Sequence, residues 1–164
     1  MECNLRINDI IEDSIVDGPG LRFTIFVQGC PHNCRGCHNP QTHAFDGGRL
    51  ITVDELFDRY RKNPLLSGVT FSGGEPFCQP EALARLGQMV RKEGGNVITY
   101  TGFIYEDLLD RASSDPWVKA LLDVTDLLID GPYIEEQRSL ELPFRGSANQ
   151  RLIRLTDDFS GEII

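Results

Sequence analysis

The sequence predicts an α/β fold with a mainly parallel sheet, formed as a single domain over residues 1–164. Three features lead there. Short apolar runs of strand length alternate with amphipathic stretches of helix length, and that alternation requires crossovers between parallel strands. Helix-start signals fall in the gaps between the apolar runs. A chain of 164 residues also buries enough of its own surface to fold without a disulfide scaffold.

The elements follow in order. Residues 22–27 place Phe23, Ile25 and Val27 on one face and Thr24 and Phe26 on the other, which suits a strand covered on both sides. Thr52-Val53-Asp54-Glu55 is a capping box, and Val53, Leu56, Phe57 and Tyr60 follow at helical spacing. Residues 68–71 read as the second strand. The next helix starts at Pro80, a residue tolerated in a first turn, and ends before Gly94. Leu83, Leu86 and Val90 mark its buried face. Residues 96–100 are the third strand. Stretches 104–112 and 116–122 are helical, with Asp115 as N-cap of the latter. Residues 127–129 and 151–155 supply the fourth and fifth strands. The tail, 156–164, is short and acidic and reads as loosely ordered.

Hydrophobic residues make up 40% of the chain and charged residues 25%, an ordinary folded composition. The formal charge of -9 opposes non-specific binding to nucleic acid or an anionic membrane, so neither is an expected partner. No apolar run reaches 18 residues, and the N-terminus lacks the basic-then-apolar order of a secretory signal. A cytoplasmic protein is expected. Thiols stay reduced there, so the five cysteines read as metal or redox residues and not as a disulfide set.

Each unusual motif sits just after a predicted strand. The cysteine loop Gly29-Cys30-Pro31-His32-Asn33-Cys34-Arg35-Gly36-Cys37-His38-Asn39 follows the first. Ser72-Gly73-Gly74-Glu75-Pro76 follows the second, Thr101-Gly102 the third, and Asp130-Gly131-Pro132 the fourth. In parallel α/β folds the carboxyl ends of the strands share one edge, and that edge binds ligands. Four motifs are therefore expected to converge on one site.

The loop's spacing is C-x3-C-x2-C, and three soft thiolates on one loop suit an iron–sulfur cluster or zinc. Four readings stand side by side. A 4Fe–4S cluster usually takes four cysteines, and three leave one iron open to a substrate. Structural zinc needs a fourth ligand from His32, His38 or Cys78, and its ligands normally come in pairs from separate turns. Covalent haem matches Cys34-Arg35-Gly36-Cys37-His38 but gives Cys30 no task. A thioredoxin-like dithiol at Cys34 and Cys37 has the same defect.

The cysteine spacing followed by Gly73-Gly74-Glu75 resembles the radical S-adenosylmethionine superfamily. More narrowly, six ordered motifs resemble the activating proteins of the anaerobic ribonucleoside-triphosphate reductase. They are Asp17-Gly18-Pro19-Gly20-Leu21-Arg22, the loop 29–39, the segment 72–76, Tyr100-Thr101-Gly102-Phe103, Leu128-Ile129-Asp130-Gly131-Pro132-Tyr133, and Arg145-Gly146-Ser147-Ala148-Asn149-Gln150. The resemblance runs from about residue 8 to residue 155.

The resemblance implies a partial (β/α) barrel, since the chain is shorter than eight units need, with an open side suited to a protein loop. It implies that Cys30, Cys34 and Cys37 ligate three irons and that S-adenosylmethionine chelates the fourth. One electron then cleaves the sulfonium bond, and the adenosyl radical takes a hydrogen atom from a glycine of the large reductase subunit. It implies an electron donor such as flavodoxin. Gly73 and Gly74 would hold the methionyl amino group, with Glu75 accepting from it or orienting the loop. Gly36, Cys37 and His38 would border the cofactor, the His38 ring against adenine. Tyr100, Thr101 and Asp130 would contact the nucleoside, with Asp130 suited to ribose hydroxyls. Arg22, Arg145 and Asn149 are further candidates for a partner or a ligand carboxylate. Cys3 and Cys78 are given no role.

Overall fold

The computed structural model describes residues 3–32, 34–37, 40–139 and 144–156. Seven strands form one sheet in the order β3-β1-β2-β4-β5-β6-β7. They are β1 (Asn4–Ser14), β2 (Arg22–Val27), β3 (Arg49–Thr52), β4 (Gly68–Gly73), β5 (Asn96–Tyr100), β6 (Leu127–Asp130) and β7 (Arg151–Arg154). Four helices connect them: α1 (Val53–Arg61), α2 (Pro80–Lys92), α3 (Tyr105–Ala112) and α4 (Pro116–Val124).

The centre of the sheet, β2-β4-β5-β6, is parallel, as the alternation requires. Its flanks are not. β1 runs antiparallel to both β2 and β3, and β7 runs antiparallel to β6. The fold is thus mixed α/β with a parallel core. Sequence reading missed β1 and β3. In β1 the register with β2 shifts between Ile7 and Asp9 and again between Ile11 and Ser14, so the two-residue alternation is broken. β3 has only four residues and runs directly into the Thr52 cap of α1.

The helix boundaries follow the local signals. The Thr52 side chain accepts a hydrogen bond from the Glu55 N–H, and Asp115 accepts from the N–H groups of Trp117 and Val118. All four helices contribute to one core. Phe23, Ile25 and Val27 of β2, Val69 and Phe71 of β4, Val97 and Leu128 meet Leu56, Leu83, Leu86, Val90, Leu108, Val118 and Leu121 there. The other sheet face carries a smaller cluster of Ile98, Leu127 and Ile129, with Tyr100, Phe144 and Leu152 against it. Among the described residues no helix is long and apolar enough to cross a membrane.

Arg22, offered by the sequence as a candidate for a ligand carboxylate, has another task. It is fully buried at the start of β2. Its guanidinium donates to Thr70 Oγ1 at 2.7 Å, to the Val69 carbonyl at 2.7 Å, and to the carbonyls of Pro19 and Asn96 at 3.2 Å. Thr70 passes the connection on by donating to the Asp17 carbonyl at 2.9 Å. Burial lowers the Arg22 pKa to about 10, so it remains charged at neutral pH. The side chain pins the 17–20 turn to β4 and β5.

Arg22→Met is expected to leave these buried acceptors without a donor and to lower stability by about 3 kcal/mol. Urea unfolding checks this, and a change under about 1 kcal/mol would show that water replaces the guanidinium.

Candidate functional site

The carboxyl ends of β2, β4, β5 and β6 lie side by side and open onto a cleft of about 650 Å³. The cysteine loop supplies Cys30, His32 and Cys34 to its lining, β4 supplies Ser72, Gly73 and Gly74, and β5 supplies Tyr100 to Gly102. Gly131 and Tyr133 come from the loop after β6, and Arg145, Gly146 and Gln150 from the segment before β7. The four strand-end motifs therefore meet, and two further motifs join them.

The cysteine loop is held along its backbone. Gly29 N–H donates to the Thr42 carbonyl at 2.7 Å, and Cys30 N–H to the His43 carbonyl at 3.2 Å. From the other side, the Gly74 N–H donates to the Val27 carbonyl and the Glu75 N–H to the Gly29 carbonyl, both at 2.8 Å. The turn at the loop's far end closes with Cys37 N–H donating to the Cys34 carbonyl at 3.2 Å. Gly36 occupies that turn with φ +75°, beside the Glu135 side chain. Cys37 is half-buried and, like Gly36, is not part of the cleft lining. His38 lies outside the described residues.

Burial raises the Cys34 thiol above the ordinary cysteine range, and a hydrogen bond from the Tyr133 backbone works the other way. Among the described residues, no three His, Cys, Asp or Glu side chains gather as ligands of one metal ion. A four-iron cluster binds its thiolates through separate irons. The donor set of soft thiols on a loop bordering a cleft fits such a group.

Gly73 and Gly74 need to be glycine for a reason nearer than a ligand. Gly73 has φ +91°, and a Cβ there would come within 2.6 Å of the Phe26 Cα. A Cβ on Gly74 would run into the Gly29 carbonyl. The turn packs against β2 and the root of the cysteine loop, and its open side borders the cleft.

The candidate carboxylates are committed to the protein itself. Glu75 is fully buried. Its Oε1 accepts from the His32 ring at 2.5 Å and from the Gly102 N–H at 2.8 Å. Its Oε2 accepts from Thr101 Oγ1 at 2.8 Å and from the Phe77 N–H at 3.0 Å. Of the two roles open to Glu75 in the sequence, the structure shows loop orientation. Thr101 donates its hydroxyl there and accepts from the Phe103 N–H at 3.1 Å, completing its own turn.

Asp130, expected at ribose hydroxyls, is also fully buried and lies outside the cleft lining. Arg151 grips both its oxygens, at 3.0 and 2.5 Å, and the Tyr105 N–H donates to one at 2.7 Å. Its side chain thus ties β6 to β7 and to the start of α3, and Gly131 is what borders the cleft at this strand end. Tyr100 does face the cleft. Burial, with Asp17 adding to it, pushes its phenol well above the ordinary tyrosine range, so it is a neutral hydrogen-bonding group.

The 145–150 motif folds as a brace. Gln150 accepts from the N–H groups of Gly146 and Ser147 and donates to the Gly131 carbonyl at 3.1 Å, while Asn149 donates to the Pro132 carbonyl at 2.8 Å. Arg145 stays in the cleft lining, and its Nε is buried with no hydrogen-bond partner. Asp17 and His32 also line the cleft, and sequence reading assigns neither a ligand-binding role. Asp17 stands in a motif whose contact with the cleft no local signal reveals. His32 was weighed only as a zinc ligand, because its partner Glu75 is 43 positions away.

Comparison with known proteins identifies the family of the chain. Residues 16–153 match the family model described as a 4Fe-4S single cluster domain. The chain is similar to the anaerobic ribonucleoside-triphosphate reductase-activating protein of Haemophilus influenzae, with 35% identity over 150 residues, 85% of this chain and 92% of the relative. The protein of the same description from Vibrio cholerae is 35% identical over 153 residues, 87% of this chain and 93% of the relative. The pyruvate formate-lyase 1-activating enzyme of Escherichia coli strain K12 is 37% identical over 130 residues, 76% of this chain and 50% of that enzyme. Among solved structures, QueE from Escherichia coli superposes with a TM-score of 0.52 and 20% identity, over 60% of this chain and 52% of that one. That last likeness is one of fold.

Glu75→Ala is expected to strand four donors in a buried place and to cost at least about 3 kcal/mol in chemical denaturation. Glu75→Gln keeps the size but turns an amide N–H toward existing donors, and is expected to lose most of the same stability. A glutamine variant as stable as the parent would show that the four bonds are not formed together.

Proposed function

The chain belongs to the 4Fe-4S single cluster domain family, and because activating proteins resemble it over most of their length, we propose that it activates a glycyl radical enzyme. The enzyme is the anaerobic ribonucleoside-triphosphate reductase, and the target is the glycine loop of its large subunit. The observation that carries the choice is the extent of the match. Likeness to the reductase activators runs over 150 and 153 residues, against 130 for the formate-lyase activator.

When bound, the cluster supplies one-electron reductive cleavage of S-adenosylmethionine. The chain's own residues do the rest. Cys30, Cys34 and Cys37 would hold three irons. The backbone of Gly73 and Gly74 would receive the methionyl amino group. The Tyr100 phenol and the Arg145 guanidinium face the same cleft and would meet polar groups of the nucleoside and the carboxylate. From the resemblance, His38 would border the adenine, and the Gly36 turn would bring Cys37 back to the cluster.

The sheet fits a partial (β/α) barrel that makes up one domain. Helices cover one face, and the cleft and the small Ile98 cluster occupy the other. An open barrel mouth suits a protein loop as substrate. A flavodoxin-type donor in the cytoplasm would supply the electron.

Anaerobic reconstitution with iron and sulfide tests this. Cys30→Ala, Cys34→Ala and Cys37→Ala should each drop 5′-deoxyadenosine formation to background. Cys3→Ala and Cys78→Ala should keep cluster and cleavage. Cys78 is exposed, and partial desolvation of its thiol, with the Glu75 charge adding to it, raises it above the ordinary cysteine range. Iron loss in Cys78→Ala would mean a further ligand. Electron spin resonance after mixing with each candidate partner decides the target, and a glycyl radical on a lyase but not on the reductase would overturn the assignment.

A further inference from the structure

We propose that His32 is a positioning residue, whose imidazole locks the cysteine loop to the buried Glu75 carboxylate and so sets the thiolates relative to the 73–74 turn. The inference rests on reading that loop as the cradle of the cluster.

His32 stands between Cys30 and Cys34, so whatever fixes its ring fixes the arc between two ligands. The ring is held on three sides. Glu75 Oε1 lies 2.5 Å from Nε2, and a carboxylate acceptor requires the proton to be on that nitrogen. Gly102 lies under the ring, where a Cβ would come within 2.6 Å of Nε2. Phe103 meets it edge to face with centroids 4.6 Å apart. The side chain is only 15% exposed, against 0% for Glu75.

The anchor itself does not move freely. Glu75 is fixed by Phe77 N–H, Thr101 Oγ1 and Gly102 N–H before His32 is counted. Glu75 also directly follows Gly73 and Gly74, so one tripeptide sets both halves of the site. Its glycines border the cleft and its carboxylate holds the loop that carries the thiols. A side chain that fixes ligand geometry from behind in this way tunes a metal site without touching substrate.

A rival account treats His32 as ring packing against Gly102 and Phe103. Two substitutions separate the accounts. His32→Gln keeps an N–H near the position of Nε2 and loses the ring. His32→Phe keeps the ring and loses the N–H. Three measurements are made anaerobically on the full chain: iron per chain, 5′-deoxyadenosine per cluster with kcat and KM for S-adenosylmethionine, and hydrogen exchange of amides 30–37 in cluster-free protein.

The expected result is that His32→Gln stays within about two-fold of the parent in turnover per cluster, while His32→Phe falls about ten-fold or more. Amides 30–37 should exchange faster in His32→Phe and at near-parental rates in His32→Gln. If His32→Phe matches the parent while His32→Gln is impaired, ring packing is the role and the proposal fails. Equal behaviour of both variants in turnover and exchange, beside an active parent, also removes it and leaves the cluster reading intact. A parent protein that takes up no iron or leaves S-adenosylmethionine uncleaved removes that reading and the proposal together.

Discussion

The site depends on one buried carboxylate. Glu75 receives four hydrogen bonds from three stretches of chain: the cysteine loop, its own turn, and the end of β5. A carboxylate taken out of water without partners is costly, and here every donor it meets is either a backbone N–H or a side chain that must itself be placed. The arrangement is therefore all-or-none. The strand ends must be in register for the charge to be tolerated, and the charge then holds them in register.

The same device recurs one strand further along. Asp130 at the end of β6 is buried and satisfied by Arg151 of β7 and by the first N–H of α3. Arg151 in turn reaches Glu106 at 2.8 Å on the exposed side. That pairing explains how an antiparallel strand closes the far edge of a parallel sheet. The edge strand is fixed by a charge at the strand end as well as by its ladder. Arg22 does the complementary work at the opposite end of β2. These buried charges thus stand at strand ends, and the polar side chains buried within the central strands are the neutral threonines Thr24, Thr70 and Thr99.

Much of this was legible in the sequence, and the boundary of legibility is physical. The parallel strands and all four helices were readable because their signals are local: apolar runs, caps at Thr52 and Asp115, and proline at the start of α2. β1 was hidden because its bulges break the alternation, and β3 because four residues carry too little pattern. The convergence of motifs was readable from topology alone, since strand ends of one sheet must share an edge. What side chains do there was not. Glu75 and Asp130 look like ligands to a substrate until the partners His32 and Arg151 are known, and those lie 43 and 21 positions away.

The resulting division of labour bears on the chemistry. Glu75 and Asp130 are spent on architecture and stand outside the cleft lining, which is made of thiols, glycine backbone and the side chains of Asp17, His32, Thr101, Arg145 and the neutral Tyr100. An acid–base enzyme needs a titratable side chain aimed at its substrate with a pKa near the working pH. A protein serving a cluster needs a rigid, shaped surface and correctly placed ligands, because the reactivity belongs to the cofactor. Fixing loops with buried charges is a good solution to the second requirement and a poor one for the first. The commitment of Glu75 and Asp130 to the loops and strand ends suits a protein whose reactivity is carried by a cofactor.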